Sequence, residues 1–396
     1  MQKRFVIFIK VIMKEKTEKK IRILFFIPGL SEGGAEKVLR NLVNNMDQSK
    51  FEITVQTIDE YDPKLYLASG IRYKAINRRK TAWGRKLFSY WFRLCAELKL
   101  AYRFYVKDDY DIEVAYLETA ATKIIAQSTN RKAAKVAWVH CDLSKKEGVL
   151  RSVEKVRKQY ARYDKIVCVS QDVEKGFCQL FGNYFDTAVI QNVIDEQEIL
   201  QKAKEDIDLG TMPNLINLLA VGRLSKEKNY EHLIETCGWL RAEGYNFHLN
   251  ILGEGPERNN LEELIKNLML ENHVILRGFI KNPYPWIKKS DILVCSSEYE
   301  GSSTVVQEAL ILGTIVVTTP CGGMKDLLGN SDYGMIVGNS EKGLYNGIKR
   351  FMDMPEYMQK YEAQAKIRGK MFSKAKSVAY IENFLVILRL EKNKKQ

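Results

Sequence analysis

The chain has 396 residues, of which 45% are hydrophobic and 28% are charged, and its 62 Lys and Arg against 49 Asp and Glu give a formal net charge of +13. This length favours two domains that each bury their own core, and the composition excludes a disordered or fibrous protein. The excess of positive charge favours nucleic acid, an anionic membrane or a ligand that carries several phosphates.

The seven cysteines are scattered and form no CxxC pair, which favours a reduced protein with small buried thiols over a disulfide framework. The first 22 residues contain apolar runs of only five and three residues, separated by Lys10. These runs are too short for a signal-peptide core or a membrane span. The basic segment suits either an anionic membrane surface or solvent, and the sequence leaves both alternatives open.

Buried strands alternate with amphipathic helices through the first half of the chain. The strand Ile21–Ile27 leads through a glycine-containing loop into a helix at 35–45, and a long basic and aromatic helix is predicted at 83–106. Repeated β-then-α units predict a parallel, doubly wound sheet. The other predicted strands of this half are Phe51–Thr57, Ile71–Ile76, Ile112–Leu117, Lys135–Val139, Lys165–Val169 and Thr187–Ile190.

Residues 195–213 are polar and contain no buried strand, so we predict a linker there, after a Rossmann-like domain at 1–194. The β-then-α pattern then restarts, which predicts a second Rossmann-like domain at 214–372 and a C-terminal helix with a basic tail at 373–396. The fold class is therefore α/β, with a cleft between two domains. The predicted strands of the second half are Leu215–Val221, Phe247–Leu252, Val274–Leu276, Ile292–Cys295 and Ile315–Thr318, and its helices are at 229–243, 257–268 and 304–312.

The stretch Leu293–Val317 is typical of one parallel βαβ unit, and its loop lies at the carboxyl end of a strand, where open α/β sheets bind ligands. The small residues 301–303 bring backbone N–H groups to the start of the helix, which is an arrangement that binds anions. Glu300 stands in this loop, and Glu308 lies about two turns into the helix. Carboxylates beside an anion-binding loop favour a sugar nucleotide. The alternative is that Glu300 caps the helix and Glu308 is solvated.

Two other strand ends in the second half carry charged side chains. Arg223 and Lys228 follow a strand in AVGRLSKEKN, and a guanidinium together with an ammonium suits phosphate. The alternative is that both are solvated basic residues. Glu254, in the GEGPE loop after the next strand, either contacts a ligand or polarises a turn.

Two features of the first half are expected to face the same cleft. Gly33 and Gly34 lie in PGLSEGGAE, where they let the backbone approach a substrate, and their spacing matches neither a GxGxxG fingerprint nor a Walker A loop. His140 ends a strand and is either a site residue or a structural histidine.

The segment 72–107 contains eleven Lys and Arg, nine aromatic residues and one acidic residue. This pattern suits a membrane-surface helix, single-stranded nucleic acid, or a solvated basic helix with its aromatic side chains in the core. The DxD-like string at Asp109–Asp111 directly follows Asp108, so we interpret it as part of an acidic run and not as a metal-binding motif. No His or Cys cluster has metal-ligand spacing and no GxSxG elbow occurs, so neither a metal nor a nucleophilic serine is indicated.

Together these motifs resemble the retaining glycosyltransferases of family 4, which have the GT-B fold. The resemblance extends over nearly the whole chain, from PGLSEGGAE through VGRLSKEKN, LGEGPE and LRGF to TPCGGMKDLL, and it includes a Glu-x7-Glu motif formed by Glu300 and Glu308. It implies an N-terminal acceptor-side domain and a C-terminal domain that binds a nucleotide-sugar donor at the interdomain cleft.

The resemblance also implies a role for individual positions. Arg223 and Lys228 match the pair that holds the donor pyrophosphate, and Glu300 matches the residue that contacts the donor sugar. Glu308 matches the residue that hydrogen-bonds the ribose, and His140 matches a position that faces the transferred sugar. We therefore expect the catalytic residues to be Arg223, Lys228, Glu300 and His140. The other expected donor-binding residues are Gly222, Glu254, Gly278, Phe279, Gly301, Ser302, Ser303, Thr304 and Glu308, and the expected acceptor and phosphate loop is Gly33 and Gly34.

The implied reaction is transfer with retention of configuration from a nucleoside-diphosphate sugar, with UDP the commonest nucleotide in the family. Same-face attack needs no protein nucleophile, so the main requirement is positive charge at the leaving diphosphate. We expect no cofactor, because the donor is itself a substrate, and no metal, because Arg223 and Lys228 supply the positive charge. Ser302 and Ser303 stand where many family members have a bulky apolar residue and a proline, which leaves the identity of the donor sugar open.

The GGAE loop resembles enzymes of bacterial capsule, exopolysaccharide and lipopolysaccharide assembly. We therefore expect a lipid-linked or glycan acceptor, contact of segment 72–107 with an anionic membrane, no nucleic-acid partner, and a cytoplasmic location at the inner face of the membrane. One alternative is a GT-B nucleotide-sugar epimerase, which would form product without an acceptor. Another is a non-enzymatic nucleic-acid-binding protein, which would bind RNA or DNA with a steep salt dependence.

Overall fold

The computed structural model describes residues 19–31, 33–79, 81–210 and 215–395. The basic N-terminal segment 1–18, about which two interpretations were open, lies outside the described residues, as do 211–214 of the predicted linker. No helix in the described ranges combines the length with the apolar composition that a bilayer span requires.

The first sheet has seven parallel strands in the order β3-β2-β1-β4-β5-β6-β7. Apolar side chains fill both of its faces, as is usual for a parallel sheet that is covered by helices on each side. The register aligns Ile23 with Ile53 on one side and with Ile112 on the other. The strands are β1 Ile21–Phe26, β2 Phe51–Asp59, β3 Arg72–Asn77, β4 Ile112–Ala115, β5 Ala134–Val139, β6 Lys165–Cys168 and β7 Thr187–Val189.

Seven described helices connect or cover these strands: α1 Gly34–Val43, α2 Ala82–Glu97, α3 Ala101–Tyr105, α4 Ala120–Ile125, α5 Glu147–Leu150, α6 Val153–Tyr160 and α7 Gln171–Phe181. The prediction of a single helix at 83–106 is wrong. Lys99 adopts a left-handed conformation with φ 59°, and the Leu100 N–H bonds to the Cys95 carbonyl at 2.8 Å. This is a Schellman ending, which stops α2 and lets α3 begin in a new direction.

The second sheet has six parallel strands in the order β10-β9-β8-β11-β12-β13. The first six strands of the seven-stranded sheet have the same spatial order, so both sheets have the doubly wound Rossmann order. The predicted α/β class with two Rossmann-like sheets is therefore confirmed. The strands are β8 Ile216–Val221, β9 Phe247–Leu252, β10 Val274–Gly278, β11 Ile292–Cys295, β12 Ile315–Thr318 and the unpredicted β13 Met335–Ile336.

Nine described helices belong to the second half: α8 Glu196–Lys202, α9 Tyr230–Ala242, α10 Arg258–Asn267, α11 Tyr284–Lys289, α12 Thr304–Leu312, α13 Met324–Leu328, α14 Glu341–Asp353, α15 Pro355–Gly369 and α16 Lys374–Lys394. Helix α8 lies inside the predicted linker, and its Ile199 packs into the core of the second sheet.

The C-terminal helix α16 returns to the first domain. Its apolar face enters the core of the first sheet through Val378, Ile381, Leu385 and Leu388. Two polar contacts fix its direction, since Glu382 accepts a hydrogen bond from the Asp47 N–H at 2.6 Å and Lys392 pairs with Asp164 at 2.8 Å. The chain therefore crosses between the two sheets twice, once near 195 and once near 373.

Candidate active site

The two sheets meet where the loop after β5 touches the loop after β11. A Cβ atom on Gly301 would lie 1.7 Å from the His140 carbonyl oxygen, so only glycine lets the two backbones come this close. Ser170 donates to the Gly301 carbonyl at 2.6 Å, and Asn192 donates to the Ser302 carbonyl at 3.2 Å. Gly301 of the second domain, which directly follows Glu300, therefore lies against the His140 backbone of the first domain.

Lys228 and Glu300 form an ion pair between the loops that follow β8 and β11 of the second sheet. Lys228 ends a short 3-10 turn after β8, and its Nζ lies 2.5 Å from Glu300 Oε1, which also accepts from Ser297 at 2.9 Å. Burial lowers the pKa of Lys228, but the charge of Glu300, its hydrogen bond and the neighbouring Cys295 and Tyr230 together outweigh burial and leave the pKa above its usual value. Ser303 occupies the N-cap position of α12, so the alternative in which Glu300 caps that helix is wrong.

Arg223 projects from the loop that links β8 to this turn. It is exposed and makes no ion pair within the described ranges. The loop is held from behind, because a Cβ atom on Gly253 would lie 1.9 Å from the Gly222 carbonyl oxygen. An exposed guanidinium therefore stands on a closely packed backbone, five residues before the half-buried Lys228.

Glu308 is buried, with 4% of its side chain exposed, so the alternative in which it is solvated is wrong. Its Oε1 accepts a hydrogen bond from Lys37 Nζ of α1, and Lys37 also donates to the Tyr284 hydroxyl of α11. Burial raises the pKa of Tyr284 to about 12, with the charge of Glu308 as the next contribution. The sequence interpretation missed Lys37 and Tyr284, although Lys37 directly follows the GGAE motif.

His140 follows β5 and is buried against the Tyr116 ring, with ring centroids 4.9 Å apart. Burial lowers the pKa of His140 to about 4, so the imidazole is neutral at pH 7. Its Nε2 has no hydrogen-bond partner in the part of the chain that is described. Glu118, which the sequence interpretation also missed, accepts from the His140 N–H at 3.1 Å and from Cys141 and Lys146 at 2.8 Å each.

The starts of two helices converge on the cleft. Gly33 is the N-cap residue of α1, and a Cβ atom on Gly34 would lie 3.6 Å from the Thr304 hydroxyl at the start of α12. Neither Gly33 nor Ser303 provides a side-chain hydrogen bond to its helix. The N-termini of α1 and α12, one from each domain, therefore lie close together, which favours an anion between them.

Glu254, Gly278 and Phe279 lie together at the ends of β9 and β10. Glu254 is exposed and pairs with Arg258 at 2.8 Å, as expected if it shapes the turn. A Cβ atom on Gly278, whose φ is 76°, would lie 2.9 Å from Glu254 Oε1. The Phe279 side chain is 61% exposed, which leaves its ring free to cover a ligand.

One group among the described residues has the composition of a metal site, namely His232, Glu235 and Glu341 on α9 and α14. These helices carry none of the residues predicted for the site. The acidic run at 108–111 is engaged in the scaffold instead, since Asp108 pairs with Lys74 at 2.6 Å and Asp111 accepts from the Arg22 N–H at 2.8 Å.

Both domains match known families. Residues 32–198 match the model described as Glycosyltransferase Family 4, and residues 201–368 match Glycosyl transferases group 1. Among solved structures, HepE of Anabaena in complex with UDP and glucose aligns with a TM-score of 0.72 at 20% identity, over 92% of this chain and 99% of HepE. The chain has the GT-B glycosyltransferase fold. Sucrose-phosphate synthase of Thermosynechococcus elongatus shares this fold, with a TM-score of 0.75 at 17% identity over 93% of this chain and 98% of the synthase.

Curated relatives of this GT-B protein are named as glycosyltransferases. An N-acetylgalactosamine-N,N'-diacetylbacillosaminyl-diphospho-undecaprenol 4-alpha-N-acetylgalactosaminyltransferase of Campylobacter jejuni is 36% identical over 190 residues, which is 48% of this chain and 50% of the relative. An uncharacterised glycosyltransferase of Haemophilus influenzae is 25% identical over 85% of this chain and 92% of the relative. The chain matches only about half the length of the first of these relatives.

Proposed function

We propose that this GT-B protein is a retaining glycosyltransferase. It transfers a hexose from a nucleoside-diphosphate sugar, with UDP as the nucleotide, to a lipid-linked or glycan acceptor in the synthesis of a cell-surface glycan. The observation that carries the proposal is the Lys228–Glu300 ion pair lying against the His140 loop, with Arg223 and the starts of two helices around the same cleft. HepE, which has the same fold, is known with UDP and glucose bound.

The charges suit departure of a nucleoside diphosphate. When the bond between the sugar and the phosphate breaks, negative charge grows on the leaving oxygen, and preorganised cations stabilise it most. Arg223 and Lys228 supply this charge, while the opposed helix starts add backbone N–H donors. In this proposal the Ser302–Thr304 loop binds the donor sugar and phosphate, Glu308 binds the ribose, and Phe279 covers the base.

In this proposal no protein side chain forms a covalent bond with the sugar. Lys228 and Ser297 both hold Glu300 through its Oε1, which fixes the carboxylate in the cleft. We therefore assign Glu300 to the hydroxyl groups of the donor sugar, and we assign attack to the acceptor from the face that the diphosphate leaves. The neutral His140, fixed beside the loop, contacts the transferred sugar without competing for the proton of the acceptor.

A cavity of about 790 Å³ supports an acceptor with a charged group. It lies in the first domain beside α2, and Arg79, Arg85 and Arg93 line it together with Phe88 and Phe92. The Arg79 guanidinium lies 4.9 Å from the centroid of the Phe88 ring. Three arginines against the acidic Asp59 and Glu60 of the same lining suit the diphosphate and the first sugar of a lipid-linked acceptor. The Campylobacter relative is named for a diphospho-undecaprenol acceptor.

The surface of helices α2 and α3 also supports binding of the protein to the anionic inner face of the cell membrane. Their outer surface exposes large apolar side chains among basic ones, and Trp83 alone is 77% exposed. Such a surface inserts apolar groups at the headgroup boundary while Lys and Arg meet anionic lipids. The exposed apolar residues of these helices are Trp83, Leu87, Tyr90, Trp91, Leu94 and Phe104.

The proposal is tested by nucleotide binding followed by turnover. Thermal stability is measured with UDP, GDP, ADP, CMP and phosphate, and a ligand at a hundred times its dissociation constant stabilises by about 2.7 kcal/mol. We expect UDP alone to give this shift. We then expect UDP-sugar turnover that requires an acceptor, persists in EDTA and falls at least about a hundredfold in Arg223→Ala, since the lost interaction acts on the leaving diphosphate.

Two results would replace this proposal. Product formed from the nucleotide sugar without any acceptor would favour an epimerase. A thermal shift with RNA and with none of the nucleotides would favour a nucleic-acid-binding protein, and its salt dependence would then be steep.

A further inference from the structure

An ion pair joins the two domains inside the cleft. Lys37 lies in the first turn of α1 in the first domain, and its Nζ contacts Glu308 Oε1 of α12 and the Tyr284 hydroxyl of α11 in the second domain. Lys37 and Glu308 are 271 residues apart in the chain. The Lys37 side chain is 24% exposed and the Glu308 side chain 4% exposed, so water screens this pair little.

The pair leaves half of the Glu308 carboxylate unused. Only Oε1 is bonded, and Oε2 has no hydrogen-bond partner within the described ranges. Lys37 is itself fixed from two sides, because its Nζ also lies 4.8 Å from the centroid of the Tyr284 ring. Burial lowers the pKa of Lys37, but Glu308 and Tyr284 together raise it above the usual value, so the ammonium stays charged.

We propose that Lys37 is a positioning residue for the donor, acting through Glu308. This inference rests on the proposed function, in which Glu308 accepts hydrogen bonds from the ribose hydroxyls. A cation that pairs with a buried carboxylate offsets the cost of its burial. Lys37 supplies that cation at Oε1 and turns Oε2 towards the ribose, without contacting the donor itself. The donor-binding domain therefore acquires its full affinity only when α1 of the other domain is in place.

Two other roles for Lys37 make different predictions. If Lys37 contacted the diphosphate, its removal would weaken every nucleotide that carries the same phosphates, whatever its ribose. If Lys37 blocked the empty site, its removal would strengthen binding. If Lys37 acts through Glu308, its removal weakens the binding only of nucleotides whose ribose hydroxyls reach that carboxylate.

The test compares UDP with 2′,3′-dideoxy-UDP, which carries the same phosphates and base without the ribose hydroxyls. Titration calorimetry gives the Kd of each ligand for the full-length wild type, Lys37→Met, Lys37→Arg, Glu308→Gln and the double variant Lys37→Met/Glu308→Gln. Asp326→Asn is the matched control, because it weakens another interdomain contact away from Glu308, the 2.8 Å hydrogen bond that Asp326 accepts from the Gln171 N–H.

We expect Lys37→Met to weaken UDP by about tenfold or more, since a hydrogen bond to a charged group is worth that factor, and to change dideoxy-UDP by less than about twofold. Lys37→Arg should recover most of the UDP affinity. The double variant should bind UDP no more weakly than Glu308→Gln alone, because the two residues act as one unit. Asp326→Asn should leave the ratio of the two Kd values unchanged.

Equal weakening of both nucleotides, tighter binding in Lys37→Met, or additive losses in the double variant would each overturn the role of Lys37 while leaving the proposed function in place. The proposed function fails separately if the wild type binds no nucleotide, and the inference then falls with it. A changed Kd ratio in Asp326→Asn would also overturn it, by showing that any loosened domain contact has the same effect.

Discussion

The proposed function gives the Lys228–Glu300 pair two tasks in one contact: Lys228 holds the carboxylate that is assigned to the donor sugar, and it brings charge to the leaving diphosphate. Lys228→Met leaves Glu300 half-buried without a cation, and we expect a loss of about 3 kcal/mol in the free energy of unfolding together with at least about a hundredfold lower kcat. Adding Glu300→Gln should restore part of the stability and none of the activity. Urea denaturation and UDP-sugar turnover measure the two effects, and recovery of activity in the double variant would contradict the assignment.

The buried His140 makes stability depend on pH. Its pKa is about 4 in the folded protein and near 6.5 when unfolded, so between these values the unfolded chain binds the additional proton. The contribution of neutral His140 to the free energy of unfolding is therefore fully present above pH 6.5. It is lost as the pH drops towards 4, by roughly 3 kcal/mol in total. Urea denaturation of the wild type and His140→Gln between pH 7 and 4.5 tests this. Parallel profiles for the two proteins would show that His140 is not the group that titrates.

Sequence reasoning singled out residues whose type is unusual after a strand, such as Glu300, Lys228 and His140, and the structure brings their loops together. Their chemistry is visible locally because parallel strands bring their carboxyl ends to one edge. It missed Lys37 and Glu118, whose partners are supplied by distant elements. Nothing near Lys37 in the sequence shows that Glu308, 271 residues away, will meet it, and a lysine in the first turn of a helix is ordinarily solvated.

At the scale of elements, the periodicity of apolar residues located most strands and helices, because each has a face that must be buried. It failed at α2 and α3, where the apolar pattern continues across Leu98–Leu100 although the backbone does not. The helix breaks at Lys99, and a lysine in the sequence does not indicate the left-handed conformation that ends a helix, as a glycine would. Strand β13 was not predicted, because a strand of two residues is too short to show a periodic pattern of apolar side chains.

The left-handed Lys99 makes a prediction about this break. Lys99→Gly removes the steric cost of φ 59° for a residue with a Cβ atom, and we expect the free energy of unfolding to rise by about 0.5–1 kcal/mol. The matched control is Lys86→Gly, also exposed but inside α2, which should lower it by about 1 kcal/mol. Chemical denaturation measures both, and the same sign in the two variants would contradict the Schellman ending.

At the scale of the whole molecule, the domains are not consecutive in sequence. The pattern beyond 338 predicted helices, but it contained no information on which sheet the last of them covers. An apolar helix face fits either sheet, and the partner is decided by the connection from α15 and by contacts such as Lys392 with Asp164. The first domain thus depends on residues that follow the entire second domain.

This dependence predicts where a core substitution acts. Leu385 of α16 and Leu344 of α14 are both fully buried, so replacing either with alanine should cost about 2–4 kcal/mol. Leu385→Ala should speed amide hydrogen exchange in β4 and β5 of the first sheet, whereas Leu344→Ala should speed it in β8 to β12 of the second. Exchange is followed by mass spectrometry of peptides from the two sheets. Faster exchange in the second sheet for Leu385→Ala would show that α16 stabilises its sequence neighbours instead of the first domain.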